Sequence, residues 1–413
     1  MNGDRIRVQL TGMAHGGAAF GRHEGQVVFV PYALPGETVL VEVETVKKGW
    51  ARARLLEVLE ASADRVEPAC PHFGPSGCGG CHWQHSQYTA QLRYKTEVVR
   101  DQLRRLAGLE RAAVQDTLPA GEPWAYRNHV QLRTAPEGLG YVAADGTRVQ
   151  PIEVCPIMHP LLAELFDDLD IDAEGLLRVG LRAGVRTGQQ MIIFETVDNE
   201  PIELSVERPV ACVLLRSDGI PVTLVGRDHI VEQVAGRDYR VSAGSFFQVN
   251  TAGAELLVKT VLEYLEPRPH HSALDLYAGV GLFSLALADR VGQVWAVEAS
   301  ALAVADLRFN VEAGGVDNVH IQAGDVAQAL AGFEATAELA VVDPPRAGCG
   351  EAVIKRLVEL QVRRLVYVAC DPATLARDAR LLAAAGYRLV RVQPVDMFPQ
   401  TYHIESLALF VCS

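Results

Sequence analysis

The strongest constraint on how this chain can fold is the alternation of helix and strand patterns from about residue 250 onward. Short apolar runs at Ala273–Leu276, Gln293–Val297, His320–Ala323, Leu339–Val342, Arg364–Ala369, Tyr387–Val395 and Leu407–Val411 read as strands. Helical patterns fill the gaps at 251–265, 279–289, 300–313, 351–360 and 373–385. Such alternation implies an α/β fold, a parallel sheet covered by helices on both faces. Open sheets of this kind bind ligands outside the carboxyl ends of their strands. Those ends are where chemistry is expected.

The first 250 residues follow different rules. Residues 1–60 alternate with period two at Ile6–Leu10, Gln26–Val30, Glu37–Val43 and Ala53–Leu59, with turns at Gly16-Gly17, Gly21, Pro31 and Pro35-Gly36. This predicts a small SH3-like or OB-like β-barrel, either unliganded or RNA-binding. Residues 61–90 have no period and are rich in Cys, Gly, Pro and His, whereas 89–108 read as a basic helix. Residues 124–240 suggest a mostly antiparallel sheet with one helix near 159–169. The expected division is therefore 1–60, 61–240 and 241–413, in keeping with roughly 100–200 residues per domain.

Charge at first argues against nucleic acid. The net charge is −13, and phosphate contacts require Lys and Arg. The acidity is uneven, however. Residues 160–205 carry ten acidic and three basic side chains, while 82–112 carry six basic and three acidic. One acidic stretch could face away from an RNA. No apolar run reaches the roughly 18–20 residues of a membrane span. Met1–Arg5 lacks the pattern of a secretory signal. The cytoplasm is the expected location, without a membrane partner or an evident obligate protein partner.

Successive strand ends carry polar residues. After Asp275-Leu276 comes Tyr277-Ala278-Gly279-Val280-Gly281, a glycine turn opening a helix. Glycines let a backbone approach a ligand, and a helix N-terminus favours negative groups. The next strand ends at Glu298, placed to accept from ribose hydroxyls, and the one after at Gly324-Asp325, placed for an adenine amino group. A fourth ends at Asp343-Pro344-Pro345-Arg346, and a fifth at Cys370-Asp371-Pro372. A thiol beside helix amides can have a lowered pKa and act as a nucleophile; the plainer alternative is a buried structural Cys. Glu405 opens the last strand and reads as a general base or a solvated loop acid. Separately, Cys70, Cys78 and Cys81 lie within twelve residues, with Cys155 further on. Four thiols suit zinc or an iron–sulfur cluster.

In their order, Ser245-Phe246-Phe247-Gln248-Val249-Asn250, Asp275–Gly281, Asp343-Pro344-Pro345-Arg346, Cys370-Asp371-Pro372 and His403-Ile404-Glu405 resemble the RNA uracil-5-methyltransferase family over nearly the whole chain. The resemblance implies a C-terminal Rossmann-like methyltransferase domain, an N-terminal TRAM barrel for RNA, and a central α+β domain. It implies that Gln248, Tyr277, Gly279, Gly281, Glu298, Asp325 and Asp343 contact S-adenosylmethionine. It makes Cys370 the nucleophile and Glu405 the base. The target base must also leave its stack, for which an aromatic such as Phe247 could serve as the stacking partner. By the same resemblance, Cys70, Cys78, Cys81 and Cys155 hold a [4Fe-4S] cluster, although the loop between the first two is about two residues longer than usual. The implied substrate is structured RNA, ribosomal before transfer RNA. The rival is a non-catalytic RNA-binding iron–sulfur protein.

Overall fold

Residues 3–171, 174–200 and 202–412 are described by a computed structural model; Met1 and Asn2 of the N-terminal stretch, and Asp172, Ala173 and Pro201 of the acidic stretch above, lie outside the described residues. Alternating inward Val and Leu side chains draw the N-terminal strands into a closed barrel. It consists of β1 (Arg5–Met13), β2 (Ala19–His23), β3 (Gln26–Val30), β4 (Thr38–Lys47) and β5 (Trp50–Glu60), in the order β1-β2-β3-β5-β4. A Cβ on Gly21 would meet the Gln9 carbonyl oxygen at 2.1 Å, so the first hairpin closes only with glycine there. The barrel core continues outward. Trp83, Ala90 and Tyr94 are buried against it, and Tyr402 packs alongside.

Helix α1 (Tyr88–Ala107) ends where Gly108 turns left-handed at φ +69°, with Arg104 and Arg105 in its last turn suiting the helix dipole. A two-residue strand, β6 (Leu118–Pro119), follows. The central sheet holds β7 (His129–Ala135), β8 (Gly138–Val142), β9 (Val149–Pro151), β10 (Leu176–Ala183), β11 (Gln190–Thr196), β12 (Ala211–Leu215) and β13 (Pro221–Val225), backed by α2 (Pro160–Asp167). Its order is β13-β12-β11-β10-β7-β8-β9, and the β11–β12 pair is parallel. The hairpin β14 (His229–Val234)–β15 (Arg237–Ser242) stands apart from this sheet. Its apolar residues Ile230, Val234, Tyr239 and Val241 join the C-terminal core instead.

The C-terminal domain runs α3 (Thr251–Leu265), β16 (Ser272–Leu276), α4 (Leu282–Ala288), β17 (Gln293–Glu298), α5 (Ala301–Ala313), β18 (Val319–Ala323), α6 (Val326–Ala331), β19 (Leu339–Val342), α7 (Gly350–Glu359), β20 (Arg364–Ala369), α8 (Pro372–Ala384), β21 (Tyr387–Asp396) and β22 (Glu405–Cys412). The sheet order is β18-β17-β16-β19-β20-β22-β21-β6. β16 to β20 are parallel, and β22 is antiparallel to both its neighbours. Period-two alternation divides the strand residues between two cores. Ala273, Val341, Val366 and Val368 face one side; Leu274, Leu276, Val342 and Tyr367 face the other. Each large apolar side chain so buried is worth about 1.5–3 kcal/mol. Although α1 and β6 precede the central sheet in sequence, α1 packs on α8 and β21, and β6 pairs with β21.

Candidate active site

Strand order reverses at β16, where β17 and β18 lie to one side and β19 and β20 to the other. This switch point opens a crevice at the carboxyl ends of the parallel strands. Five of the expected positions sit at those ends: Glu298 closes its strand, Tyr277, Asp343 and Cys370 follow theirs directly, and Asp325 follows one residue further on. The turn after β16 stays irregular until Leu282, three residues later than the periodicity suggested, because Tyr277, Gly279 and Gly281 all have positive φ. Positive φ is costly for Tyr277, and such outliers gather at functional loops. The two glycines differ in purpose. A Cβ on Gly279 would meet open space, but one on Gly281 would strike Leu307 at 2.5 Å. Gly281 therefore serves the close packing of α4 on α5, and Gly279 is the one that exposes backbone to the crevice.

Glu298 ties the turn down. Its carboxylate accepts the Gly279 N–H at 2.8 Å and the Ser300 N–H at 2.7 Å. A carboxylate has about four acceptor sites, so lone pairs remain for ribose hydroxyls. Asp325 is exposed and caps α6 by accepting the Gln328 N–H at 3.0 Å. Asp275, one strand residue earlier, is fully buried and holds the Ser284 hydroxyl; burial raises its carboxyl to about 7.

The antiparallel insertion of β22 brings the last two reactive groups together. Ala369 of β20 pairs with Ser406 of β22, so Cys370 and Glu405 are neighbours across the strand pair. Burial raises the Glu405 carboxyl well above the usual range, and Asp343 adds to this. Burial raises Asp343 to about 7, with Asp275 reinforcing it. The Cys370 thiol corrects the sequence reading. Instead of being lowered by helix amides, it is pushed up to about 11 by burial, then by Glu405 and Asp343, with Arg346 acting in the opposite sense. The physical reason is visible at the helix cap. The Thr374 N–H donates to the Asp371 carboxylate at 2.8 Å, so that amide is engaged by the acid. The resting pocket is crowded with acids that disfavour one another's charge.

Buried polar contacts hold the surrounding loops. Lys95 of α1 is wholly buried, with Nζ 2.6 Å from Asp396 Oδ1 and 3.1 Å from the Phe398 carbonyl. The Gln91 side chain donates to Gln400 Oε1 at 2.9 Å and accepts the Gln400 N–H at 3.0 Å. These contacts anchor the 396–404 segment that ends at Glu405. On the other wall, buried Arg182 donates to the carbonyls of Ser242 and Ser245, and Asp306 accepts from both hydroxyls. Gln248 follows, nearly buried, its carbonyl held by Asn128 at 3.2 Å. Here too the sequence reading needs correcting. Phe247 is 8% exposed and packs in the core against Tyr239, whereas Phe246 is 69% exposed. Alternation along an extended segment sends one ring in and the other out, and Phe246 is the ring available for stacking. Sequence reasoning also assigned no role to Arg346, Arg182, Asp306 or Lys95. Only the Asp-Pro-Pro-Arg motif marked any of them.

Cys70, Cys78, Cys81 and Cys155 line one cavity of about 490 Å³, together with Arg127, Phe246, Phe398 and His403. The Gly80 N–H points at Cys78 Sγ from 3.3 Å. The long loop before Cys78 is folded back on itself: the Cys78 N–H reaches the His72 carbonyl at 2.7 Å, and Arg148 holds the Ser76 carbonyl at 2.8 Å. The extra length is thus taken up beside the β8–β9 hairpin. Among the described residues, however, no three His, Cys, Asp or Glu side chains form a group able to hold a metal ion. What the structure shows of the expected [4Fe-4S] ligand set is that its four thiols share this cavity.

A doubly wound sheet whose last strand is inserted antiparallel between β20 and β21, acids at successive strand ends and an N-terminal barrel together define an S-adenosylmethionine-dependent methyltransferase that works on RNA. Comparison with known proteins agrees. The tRNA (uracil-5-)-methyltransferase model matches residues 211–411, and the TRAM domain model matches residues 1–56. An uncharacterized RNA methyltransferase of Streptomyces avermitilis is 41% identical, covering 98% of each chain. One from Halalkalibacterium halodurans is 36% identical, covering 98% of this chain and 96% of its own. The crystal structure of Pyrococcus abyssi tRNA (uracil-54, C5)-methyltransferase, in complex with S-adenosyl-L-homocysteine, superposes with a TM-score of 0.76 at 29% identity, over 98% of this chain and all of that one. The chain belongs to the RNA uracil-5-methyltransferase family.

Proposed function

We propose that this enzyme forms 5-methyluridine at a specific uridine of 23S ribosomal RNA, with Cys370 as nucleophile and Glu405 as base. The observation that carries the mechanism is the β20–β22 register, which makes Cys370 and Glu405 neighbours at the end of the cofactor crevice. Uracil C5 is too poor a nucleophile to accept a methyl group unaided. Addition of Cys370 Sγ to C6 moves the C5–C6 electron pair into an enolate, and C5 becomes nucleophilic. The cofactor supplies an electrophilic methyl group on a sulfonium. Glu405 then takes the C5 proton, the double bond reforms, and Cys370 is expelled. Gln248, Tyr277, Gly279, Glu298, Asp325 and Asp343 are the residues proposed to hold the cofactor. Gly281 supports them from beneath. The negative charge at Asp343 suits a sulfonium, and a compensated Asp343 opposes the Cys370 thiolate less.

The four-thiol cavity suits a [4Fe-4S] cluster better than zinc. A single zinc ion draws four sulfurs in to about 2.3 Å from one centre. A cluster spreads its thiolates over several irons and tolerates a wider ring. Iron analysis and the visible spectrum of anaerobically purified protein test this: iron and acid-labile sulfide in equal amounts support it, and zinc alone rejects it.

Transfer RNA is the second reading, favoured by the similarity to the Pyrococcus abyssi enzyme. One experiment separates the two. RNA pools substituted with 5-fluorouridine are incubated with enzyme and S-adenosylmethionine, and the denaturation-resistant adduct is sequenced. The C5 fluorine cannot leave as a proton, so the adduct persists. Ribosomal sequence in the adduct supports the proposal, transfer RNA sequence moves the substrate, and no adduct with either pool rejects Cys370 as nucleophile.

A further inference from the structure

The RNA-binding barrel touches the catalytic centre directly. Residues 14–18 link β1 to β2 in a tight loop: the Ala14 N–H reaches the Ala18 carbonyl at 2.9 Å, and the Gly17 N–H reaches the Ala14 carbonyl at 3.1 Å. At its tip, His15 Nε2 lies 3.1 Å from Asp371 Oδ2. Asp371 directly follows Cys370, and its other oxygen caps α8 through Thr374. One carboxylate thus ties the barrel loop to the turn that carries the nucleophile.

The same loop makes a second contact. A Cβ on Gly17 would come within 2.8 Å of the Tyr402 ring, and φ there is +87°, so glycine alone lets the loop lie on that ring. The Gly17 carbonyl accepts the Trp83 indole N–H at 3.0 Å, which fixes the loop's depth. Tyr402 in turn packs at a tilt against His403, with ring centroids 4.5 Å apart, two residues before Glu405. The loop therefore bears on the nucleophile's segment and on the base's segment at once.

Resting on the mechanism proposed above, we propose that the β1–β2 loop is a working part of the catalytic centre. His15 is the positioning residue that holds the Cys370–Asp371 turn for attack on C6. The imidazole fixes Asp371 Oδ2, and hence the backbone from which the Cys370 side chain projects. It also places a compensating donor beside a carboxylate whose charge opposes the Cys370 thiolate. His15 has a side chain only 33% exposed, so its contact is partly shielded from solvent competition.

The test is single-turnover adduct formation with 5-fluorouridine RNA, measured with RNA affinity and melting temperature on the same full-length proteins. His15→Ala is expected to slow adduct formation about 10- to 100-fold, the range a small misplacement of reacting groups produces. RNA Kd and melting temperature should stay near those of the wild type. His15→Gln, whose amide nitrogen can donate to the same oxygen, should recover most of the rate. Asp371→Asn keeps the helix cap but weakens the link, and should also slow the adduct step. An unchanged rate in His15→Ala overturns the proposal. So does a loss that vanishes at saturating RNA, which would make His15 an RNA contact only. Failure of the wild type to form any adduct would instead overturn the underlying mechanism, so the two failures are distinguishable.

Discussion

Two sulfur sites in this molecule are built in opposite ways. Cys370 is placed by sheet register: β20 delivers it, β22 brings Glu405 beside it, and β19 ends at Asp343 nearby. Cys70, Cys78, Cys81 and Cys155 are placed by loops, through a folded-back turn, two glycines and a hairpin edge. A register-built site inherits the precision of a packed core. A loop-built site has no strand register to fix its side chains. The first is suited to chemistry at one atom; the second gathers four thiols around a cavity of about 490 Å³.

Substitution tests this contrast most sharply at the register-built site. Cys370→Ala should abolish methyl transfer with little change in melting temperature. Glu405→Gln should slow turnover by about 10²–10⁴ and accumulate the covalent intermediate on ordinary uridine RNA, visible as a retarded band in a denaturing gel. Cys81→Ala should do the reverse, lowering the melting temperature while kcat keeps its order of magnitude. If Cys81→Ala abolishes turnover in a protein that still folds, the division between the two sites fails.

The next effect concerns what anchors the register-built site. Lys95 and Asp396 form a fully buried pair. Lys95→Met leaves the Asp396 charge without its partner, and should cost about 3–5 kcal/mol of stability. Chemical denaturation measures this. A loss below about 1 kcal/mol, the scale of an exposed ion pair, would mean that the segment leading to Glu405 is held by packing alone.

The smallest effect is electrostatic. Cys370 is raised to about 11 by burial first, then by Glu405 and Asp343, with Arg346 opposing. Alkylation of Cys370 in cofactor-free enzyme should therefore be slow at pH 8 and climb toward pH 11. Asp343→Asn removes a negative neighbour, so the curve should move to lower pH. Arg346→Ala removes the positive one, so it should move to higher pH. Peptide mass spectrometry of iodoacetamide-treated protein reads both. Shifts in the opposite direction would break the account of the acid-crowded pocket.

The same contrast explains what could be read before the structure. Strand ends carrying Glu298, Asp325, Asp343 and Cys370 were legible because apolar runs mark each strand and the motif residue stops it. Glu405 was legible as the start of the last run. What escaped was everything set by contacts between distant segments. Phe246 and Phe247 are adjacent, and only the packing of the second on Tyr239 decides which ring faces out. The thiol's raised pKa arises first from burial and then from two acids 35 residues after and 27 before it, all brought about by the fold. The β14–β15 hairpin reads as one more strand pair of the central sheet, yet its apolar face belongs to another core. Lys95 looked like one charge on a basic helix and lies at zero exposure beneath the catalytic loop.

The pairing of β6 with β21 has a consequence for how the protein is made. During synthesis, α1 and β6 leave the ribosome long before the strands they complete, and must wait while the central domain is built. A fragment beginning at residue 241 would hold every strand-end motif of the cofactor crevice yet present β21 as an open sheet edge and α8 without α1 against it. Uncovered edges of this kind recruit other chains. The C-terminal domain is therefore not a portable module, because β21 gains its edge partner and α8 its cover only from residues 88–119.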